Sequence, residues 1–489
     1  MITKQDIPKE VVSISETLEK AGFQAYLVGG CTRDLLLGTQ PKDWDLTTDA
    51  TPEEIQKLFP DSFYENDFGT VGVKTENDDP LLHIVEVTPF RAEGEYSDAR
   101  RPDNVQFGVS LSEDLERRDF TVNALAYRIS TEELVDEHGG LADLKKKTLR
   151  AVGDPSKRFQ EDALRMMRAV RLSAELGFAI ETETANAILE NTSQLDKISK
   201  ERIRDEFIRT INTKTPMQSL VLAQRLGILK YVAPDLERGM GIDQNQAHSF
   251  DVFEHNLRAM QHAADKEWEL ALRIASLFHD ISKPETRKWS DEKNDWTFHG
   301  HEVVGARVTK KILTDLRFSK ELTEKVVKLV RWHMFFSDPD QITLSAVRRM
   351  IRNVGEENIW DLLNLRICDR IGTGRPKEQP FRFRKYKSMV EEALRDPISV
   401  AMLAIDGDYI LANMDQKPGP RIGWTLHALL EEVLEDPKKN EFEYLEKRTK
   451  KLFELSDEEL KKLGEAGKEK QKQEEDEAIA ELRAKHHVN

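Results

Sequence analysis

The periodicity of the chain changes once, near residue 150, and that change limits the fold more than any other feature. Before it, short β-like runs (AYLVGG, TVGVKT, LLHIVEVTPF, NVQFGV) alternate with helical patterns such as Pro52 to Phe59, where TPEEI supplies a cap and first-turn acids. From Lys157 onward the strand signals fade, the 3.6-residue pattern dominates through Lys230, and the remainder also reads as helical. The expected plan is a small α/β head followed by helical regions. At 489 residues the chain is too long for one core, and 39% apolar residues can supply several interiors, which excludes a disordered chain.

Cys31 and Cys368 are the only cysteines, so neither a disulfide framework nor a four-cysteine zinc site can be built. The first twenty residues scatter charges every few positions, and no 18-residue apolar stretch occurs later. We therefore expect no signal peptide, no membrane partner and a cytoplasmic location. The formal net charge of −16 argues against charge-driven nucleic-acid binding over the whole surface, although a local basic groove remains compatible with it. Two stretches are locally basic, Lys145 to Arg171 and RPKEQPFRFRKYK (Arg375 to Lys387).

The most informative segment is AYLVGGCTRDLLLGTQPKDWDLTT. A β-run ends at Gly29-Gly30, where two glycines allow a tight turn that aims amide N–H groups at an anion, with Arg33 adding charge. In an extended strand, residues i and i+2 share a face, so Asp43 and Asp45 can bind the same ions. Hard oxygen ligands that close together suit magnesium and a nucleoside triphosphate. A lone glycine pair is usually a turn and a lone DxD usually a loop or cap, but their combination around an arginine favours a site.

Two further stretches add polar side chains. LERRDFTVNALAY carries Arg117, Arg118, Asp119 and Asn123, which alone would read as an exposed charged helix start. KRFQEDALRMMRAVRLSAELGF reads as one helix, with Asp162, Arg165, Arg168 and Arg171 in a slowly drifting stripe beside Leu164, Met167 and Val170. Such a stripe can pair internally or grip a base and phosphates. A carboxylate beside a guanidinium mimics a Watson–Crick edge, so Asp162 with Arg165 could accept cytosine or adenine and reject guanine and uracil.

These motifs, with HGGLADL near residue 140, resemble in content and order the class II tRNA nucleotidyltransferases (CCA-adding enzymes) and bacterial poly(A) polymerases, across most of residues 23 to 210. The resemblance implies a head with the nucleotidyltransferase fold of the DNA polymerase beta superfamily, followed by all-α neck, body and tail regions. It implies Asp43 and Asp45 as ligands of magnesium, and Gly29, Gly30 and Arg33 in the triphosphate loop. Arg118, with Asp119 and Asn123, would contact nucleotide; Asp162 and Arg165 would template C and A, with Arg168 and Arg171 as further contacts. CTP, ATP and tRNA are the implied partners and two-metal nucleotidyl transfer the implied mechanism. Cys31-Thr32 and DEHGG depart from the family's usual residues without touching a chemical role. FRAEGEYSDARRPDNV resembles the family's specificity-switching loop, with Arg91, Tyr96, Asp98 and Arg101 as its polar content. Glu86 reads as an ordinary strand residue, with a third carboxylate as the other reading.

A histidine-rich segment follows. HSFDVFEHNLRAM, LRIASLFHDISKP, FHGHEVVGARV, LVRWHMFFSD and LRICDRIG place imidazoles and carboxylates on several helices, where they can converge on one or two divalent metals. The pattern resembles the HD-domain metal phosphohydrolases, which maps ligands to His255, His279, Asp280 and Asp369 and extra ligands to His301 and His333. YILANMDQKPGPRIGWTLHALLEEVLEDPKKN resembles the C-terminal element of HD-bearing members, and its PGPRIG turn is expected to be structural. The expected regions are 1–150 (head), 151–245 (neck and body), 246–372 (HD), 373–455 (helical tail region) and 456–489, a solvated helix or disordered tail. The alternatives are a poly(A) polymerase, a CC- or A-only enzyme, and an HD phosphohydrolase acting on RNA ends or nucleotides.

Overall fold

The computed structural model describes residues 2–64, 69–93, 105–244, 248–335, 342–395 and 399–488. Its contacts define two units, residues 1–333 with 364–375, and residues 334–363 with 376–489.

The first unit opens with the strands β1 (Ala25–Val28), β2 (Asp45–Thr48), β3 (Ser62–Tyr64), β4 (Val71–Lys74) and β5 (Ile84–Pro89). After them come β6 (Arg91–Glu93), β7 (Val105–Phe107), β8 (Ala126–Arg128) and β9 (Glu133–Val135). Seven of these form one sheet in the order β3-β4-β5-β2-β1-β8-β9, while β6 and β7 pair separately. Only β2 and β5 run parallel within the large sheet, and their register sets Asp45 opposite Glu86. Alternation buries Leu27, Leu46, Val71, Val73, Val85 and Val87 in a core shared with Val11, Ile14 and Leu18 of the helix Lys9–Lys20. The antiparallel register of β1 and β2 brings the C-terminal end of β1 beside the N-terminal end of β2, the edge that carries the polar motifs.

Beyond residue 150 the unit is mostly helical, with one correction to the sequence reading. The segment around Asp162 is two helices, Pro155–Glu161 and Leu164–Leu176, and Asp162 itself is extended at φ −141° and ψ 102°. Its carboxylate accepts from the Leu164 N–H at 3.1 Å, the turn-forming bond that competes with helix continuation. Asp162 is therefore not in the helical stripe of Arg165, Arg168 and Arg171. The helices Val252–Asp265, Leu270–Phe278, His301–Asp315 and Lys320–Trp332, with the later part of Ile359–Gly372, bring the histidine motifs together.

In the second unit Leu429, Leu430, Leu445, Leu452 and Leu460 form a buried core. Pro420 of PGPRIG opens the helix Pro420–Glu435, and Arg421 donates to the carbonyls of Phe453 and Leu455 at 3.0 and 3.1 Å, which gives that turn a structural role. Of the two readings of the charged tail, the structure takes the helix: Asp457–Lys485 is continuous and buries Leu460, Gly464 and Gly467. The glycines let it approach Trp424 and His427 at backbone distance. No helix among the described residues is long and apolar enough to cross a membrane.

Candidate active site and candidate metal centre

The glycine turn and the DxD segment meet. Gly29, at φ 74°, ends β1, and a Cβ placed there would lie 3.4 Å from both Arg118 Nη1 and Asp45 Oδ2. A Cβ at Gly30 would lie 3.6 Å from Arg33 Nη2 and Asp43 Oδ1. The side chains that meet beside the glycine turn are thus two carboxylates and two guanidinium groups. Trp44, between the aspartates, is buried, while Asp43 is exposed in the preceding bend and Asp45 is half-buried at the start of β2. Glu86, read as an ordinary strand residue, is half-buried and is Asp45's register partner across the parallel pair.

Arg118 stands on an acid that sequence reading passed over. Asp114 is fully buried, and its two oxygens accept from Arg117 Nη2 at 2.6 Å and Arg118 Nη2 at 3.1 Å. Burial works to raise its carboxyl, but the two guanidinium groups prevail and hold it below the usual range. Asp114 lies one helical turn before RRD, a capped start (Ser110, Glu113) that marked its position without revealing its role.

A partly buried chain of hydrogen bonds joins the remaining motifs. Arg33 Nη1 donates to Asn123 Oδ1 at 2.7 Å, and Asn123 Nδ2 donates to Asp119 Oδ1 at 3.2 Å. Arg168 then donates from Nε and Nη2 to Asp119 Oδ2, at 2.9 and 2.6 Å. Burial opposes the Asp119 charge, yet Arg168 and the Asn123 amide outweigh it and set the carboxyl at about 2. Asp119 raises the Arg168 guanidinium in turn.

Asp162 and Arg165, expected side by side, have separate partners. Asp162 Oδ2 accepts from Arg202 Nη2 at 2.7 Å; Arg165 donates to Glu161 at 2.9 Å and to the carbonyls of Arg158 and Arg117 at 3.2 and 3.0 Å. Arg171 pairs with Glu206 at 2.6 Å and Glu175 at 2.8 Å. Of the specificity-loop residues, Arg91 donates its backbone N–H to Asp114 Oδ1 at 3.4 Å, while Tyr96, Asp98 and Arg101 lie outside the described residues.

The histidine motifs converge on Asp280. Its Oδ2 lies 3.0 Å from His255 Nε2, 3.3 Å from His279 Nε2 and 2.6 Å from Lys283 Nζ. Its Oδ1 lies 3.2 Å from His301 Nε2 and 3.6 Å from His333 Nε2. Asp369 Oδ1 is 3.5 Å from His255 and 3.7 Å from His279. Two ligand groups result, one of His248, His255, Asp280 and Asp369, the other of Asp280, His301 and His333. His248, the first residue of HSFDVFEHNLRAM, and Lys283, in SLFHDISKP, are outside the expected set.

The tautomers follow from the backbone. His279, His301 and His333 place Nδ1 against the carbonyls of Ser276, Phe298 and Val330 at 2.8, 2.6 and 2.7 Å, and a carbonyl can only accept. When these imidazoles are neutral, each Nε2 carries a lone pair. Yet His301 and His333 face each other through Nε2 at 3.2 Å, and Asp280 Oδ1, buried beside them, has no hydrogen bond among the described residues. Lone pairs converging on a carboxylate fit a divalent cation. Burial brings His333 and His248 down to about 4, so both are neutral donors. Burial also opposes charge on His279, but Asp280 and Asp369 overcome it and raise that imidazole to about 10.

Comparison with known proteins places these parts. Residues 25–150 match the Poly A polymerase head domain, 177–240 the probable RNA and SrmB-binding site of polymerase A, and 252–371 the HD domain. Fold and site thus define a nucleotidyltransferase of the poly(A) polymerase type that also carries an HD domain. A CCA-adding enzyme of Lactobacillus helveticus is 34% identical over 449 residues, covering 90% of this chain and 96% of that protein. The structure of the Bacillus stearothermophilus CCA-adding enzyme in complex with CTP matches with a TM-score of 0.57 and 25% identity, covering 91% and 98% of the two chains. The Thermotoga maritima CCA-adding enzyme complexed with tRNA shares the fold, with a TM-score of 0.51 at 19% identity over 92% and 97%. The chain belongs to the CCA-adding enzyme family of tRNA nucleotidyltransferases.

Proposed function

We propose that this chain adds CCA to the 3′ end of tRNA from CTP and ATP. The observation that carries the reading is the meeting of Asp43, Asp45, Arg33 and Arg118 around the Gly29-Gly30 turn. Divalent ions held by Asp43 and Asp45, taken as magnesium, would supply a lowered pKa at the RNA 3′-hydroxyl and neutralise the triphosphate. The Gly29-Gly30 amides and Arg33 bind phosphate oxygens, and Arg118, fixed by Asp114, orients the nucleotide. The 3′-oxygen bonds to the α-phosphorus as the bond to pyrophosphate breaks, so the protein contributes positioning and charge without a covalent intermediate. Asp162, oriented by Arg202, and Arg165 would read cytosine and adenine, with Arg168 and Arg171 supporting them.

The test is sequencing of products made from CTP, ATP and magnesium on transcripts ending before C, CC and CCA. Termination at CCA, abolished by Asp43→Ala, is the expected result. Long adenosine tails or a stop after CC would move the chain to a poly(A) or partial-addition enzyme; addition that survives Asp43→Ala would overturn the assignment of the metal ligands.

A second reading concerns the HD centre, and the two-sided Asp280 favours it. His255, His279, Asp280 and Asp369, with His248 adjacent, would hold one divalent ion, and Asp280, His301 and His333 a second. Such a pair suits hydrolysis of a phosphate ester at an RNA end, in which water bonds to phosphorus and the leaving oxygen takes a proton. Metal-dependent release of phosphate from RNA ending in a 3′-phosphate, lost in His255→Ala, tests it.

A further inference from the structure

Between the ligands Asp280 and His301 the chain rises into a hairpin, Lys288–Ser290 paired with Asp295–Thr297, that no role described above uses. Its register sets Trp289 directly opposite Trp296, with ring centroids 5.2 Å apart at 79°. Arg287 lays its guanidinium 3.7 Å from the Trp296 ring centre, and its Nε has no hydrogen bond among the described residues. A cross-strand tryptophan pair can serve only to fasten a hairpin. Here, however, Trp289 remains 49% exposed, an open π-surface beside a stacked cation.

The hairpin is tied to the metal ligands at both ends. Phe298, which follows it, accepts His301 Nδ1 through its carbonyl and lies under Lys283 Nζ at 5.5 Å. Lys283 itself holds Asp280 Oδ2 at 2.6 Å and opens the short helix leading to Arg287. Only Thr297 separates Trp296 from Phe298, two steps that span at most about 7 Å of extended chain. Trp296 is thus held close to Phe298, whose carbonyl fixes His301, which puts the hairpin on the His301 side of the cluster.

We propose that the Trp289–Trp296 hairpin is a stacking platform for the 3′-terminal base of single-stranded RNA, which delivers the terminal phosphate to the HD centre. The proposal rests on the HD-centre reading and adds its substrate class: a phosphate borne by a nucleotide at an RNA end, as opposed to any phosphate ester. Base–aromatic stacking tolerates any base, so the platform would accept ends irrespective of sequence. Arg287 is placed to meet backbone phosphate while stacked on Trp296.

The test uses the full chain with 5-fluorotryptophan at its seven tryptophans, the Trp289 resonance being assigned by Trp289→Phe. Trp44, between Asp43 and Asp45, reports on the head in the same spectrum. The probe is a five-residue oligoadenylate ending in a 3′-phosphate. The expected result is a saturable shift of the Trp289 signal, none with glycerol 2-phosphate, and oligonucleotide binding at least tenfold weaker in Trp289→Ala but kept in Trp289→Phe. A Trp289 signal that stays still, or moves equally with glycerol 2-phosphate, overturns the platform. Adenosine 3′-phosphate binding as tightly as the oligonucleotide would overturn the RNA end in favour of free nucleotides. The underlying metal reading fails separately, if wild type and His301→Ala bind the same number of ions.

Discussion

Arg168 closes on one oxygen of Asp119 with two donors, Nε at 2.9 Å and Nη2 at 2.6 Å, and so fastens the helix Leu164–Leu176 to the RRD motif. The other Asp119 oxygen takes the Asn123 amide, whose own oxygen receives Arg33. A residue expected to contact nucleotide is thus already part of a network running from the glycine turn to the helix that carries Arg165.

That pair gives stability a pH dependence. Asp119's folded value of about 2 lies below its ordinary 3.8, so its contribution is complete above the unfolded value and is lost as pH falls through the folded one. The shift corresponds to about 2 kcal/mol, of which about 1 kcal/mol is already gone at pH 3. Asp119→Asn also strands Arg168, whose one-third exposure puts the loss at or below the lower end of the about 3–5 kcal/mol that breaking a fully buried pair costs. Urea unfolding of the first unit at pH 7 should show a loss of that order, smaller by about 1 kcal/mol at pH 3. An equal loss at both would remove Asp119 as the titrating group.

Arg202 is expected to affect base selection without being in the sequence motif. It holds Asp162 Oδ2 at 2.7 Å, and a hydrogen bond to a charged group is worth about 1.5–3 kcal/mol. With that restraint gone in Arg202→Ala, the carboxylate should discriminate less well, and the ratio of kcat/KM for CTP over UTP should fall roughly tenfold. A ratio unchanged from wild type would detach Arg202 from selection.

What could be read from sequence was residue chemistry at short spacing. Gly29-Gly30, Asp43 with Asp45, and His279-Asp280 announce themselves because each motif is local and its residue types are costly to place without a use. Partners chosen across the fold were hidden: Arg168 finds Asp119 from 49 residues away, and Asp45 finds Glu86 only through a parallel strand pairing. The break at Asp162 was masked by a helical pattern on both sides, since a capping aspartate and a stripe aspartate are the same letter. His248 is silent in the sequence because its place in the cluster depends on where the helix Val252–Asp265 packs. Gly464 and Gly467 carry no signal in the tail sequence, and only the position of Trp424 and His427 gives them a purpose.

The two faces of Asp280 make metal content separable by mutation. His301→Ala removes a ligand from the group on Oδ1 alone, whereas Asp280→Ala removes the residue common to both groups. After saturation with manganese and gel filtration, elemental analysis should give two ions for wild type, one for His301→Ala and none for Asp280→Ala. One ion in wild type and in His301→Ala alike would reduce the centre to its His255 side. Loss of a ligand shell of this kind typically weakens affinity by more than about tenfold, enough to register on the column.

Two glycines of the second unit should respond to alanine with opposite signs. In a helix interior, alanine is favoured over glycine by about 1 kcal/mol. Gly423 lies within the helix Pro420–Glu435, and a Cβ there meets nothing within 4 Å, so Gly423→Ala should stabilise by about that amount. At Gly467 the same atom would lie 2.1 Å from the His427 carbonyl oxygen and 2.6 Å from its carbon. Backbone cannot swing aside as a side chain can, so the helices Asp457–Lys485 and Pro420–Glu435 must part. Overpacking of this kind costs about 1–3 kcal/mol, which exceeds the propensity gain. Calorimetry of the full chain should show the transition of the second unit moving up in Gly423→Ala and down in Gly467→Ala, with the first unit's transition unmoved in both. A rise in Gly467→Ala would mean that the tail helix is held to its neighbour less closely than these distances require.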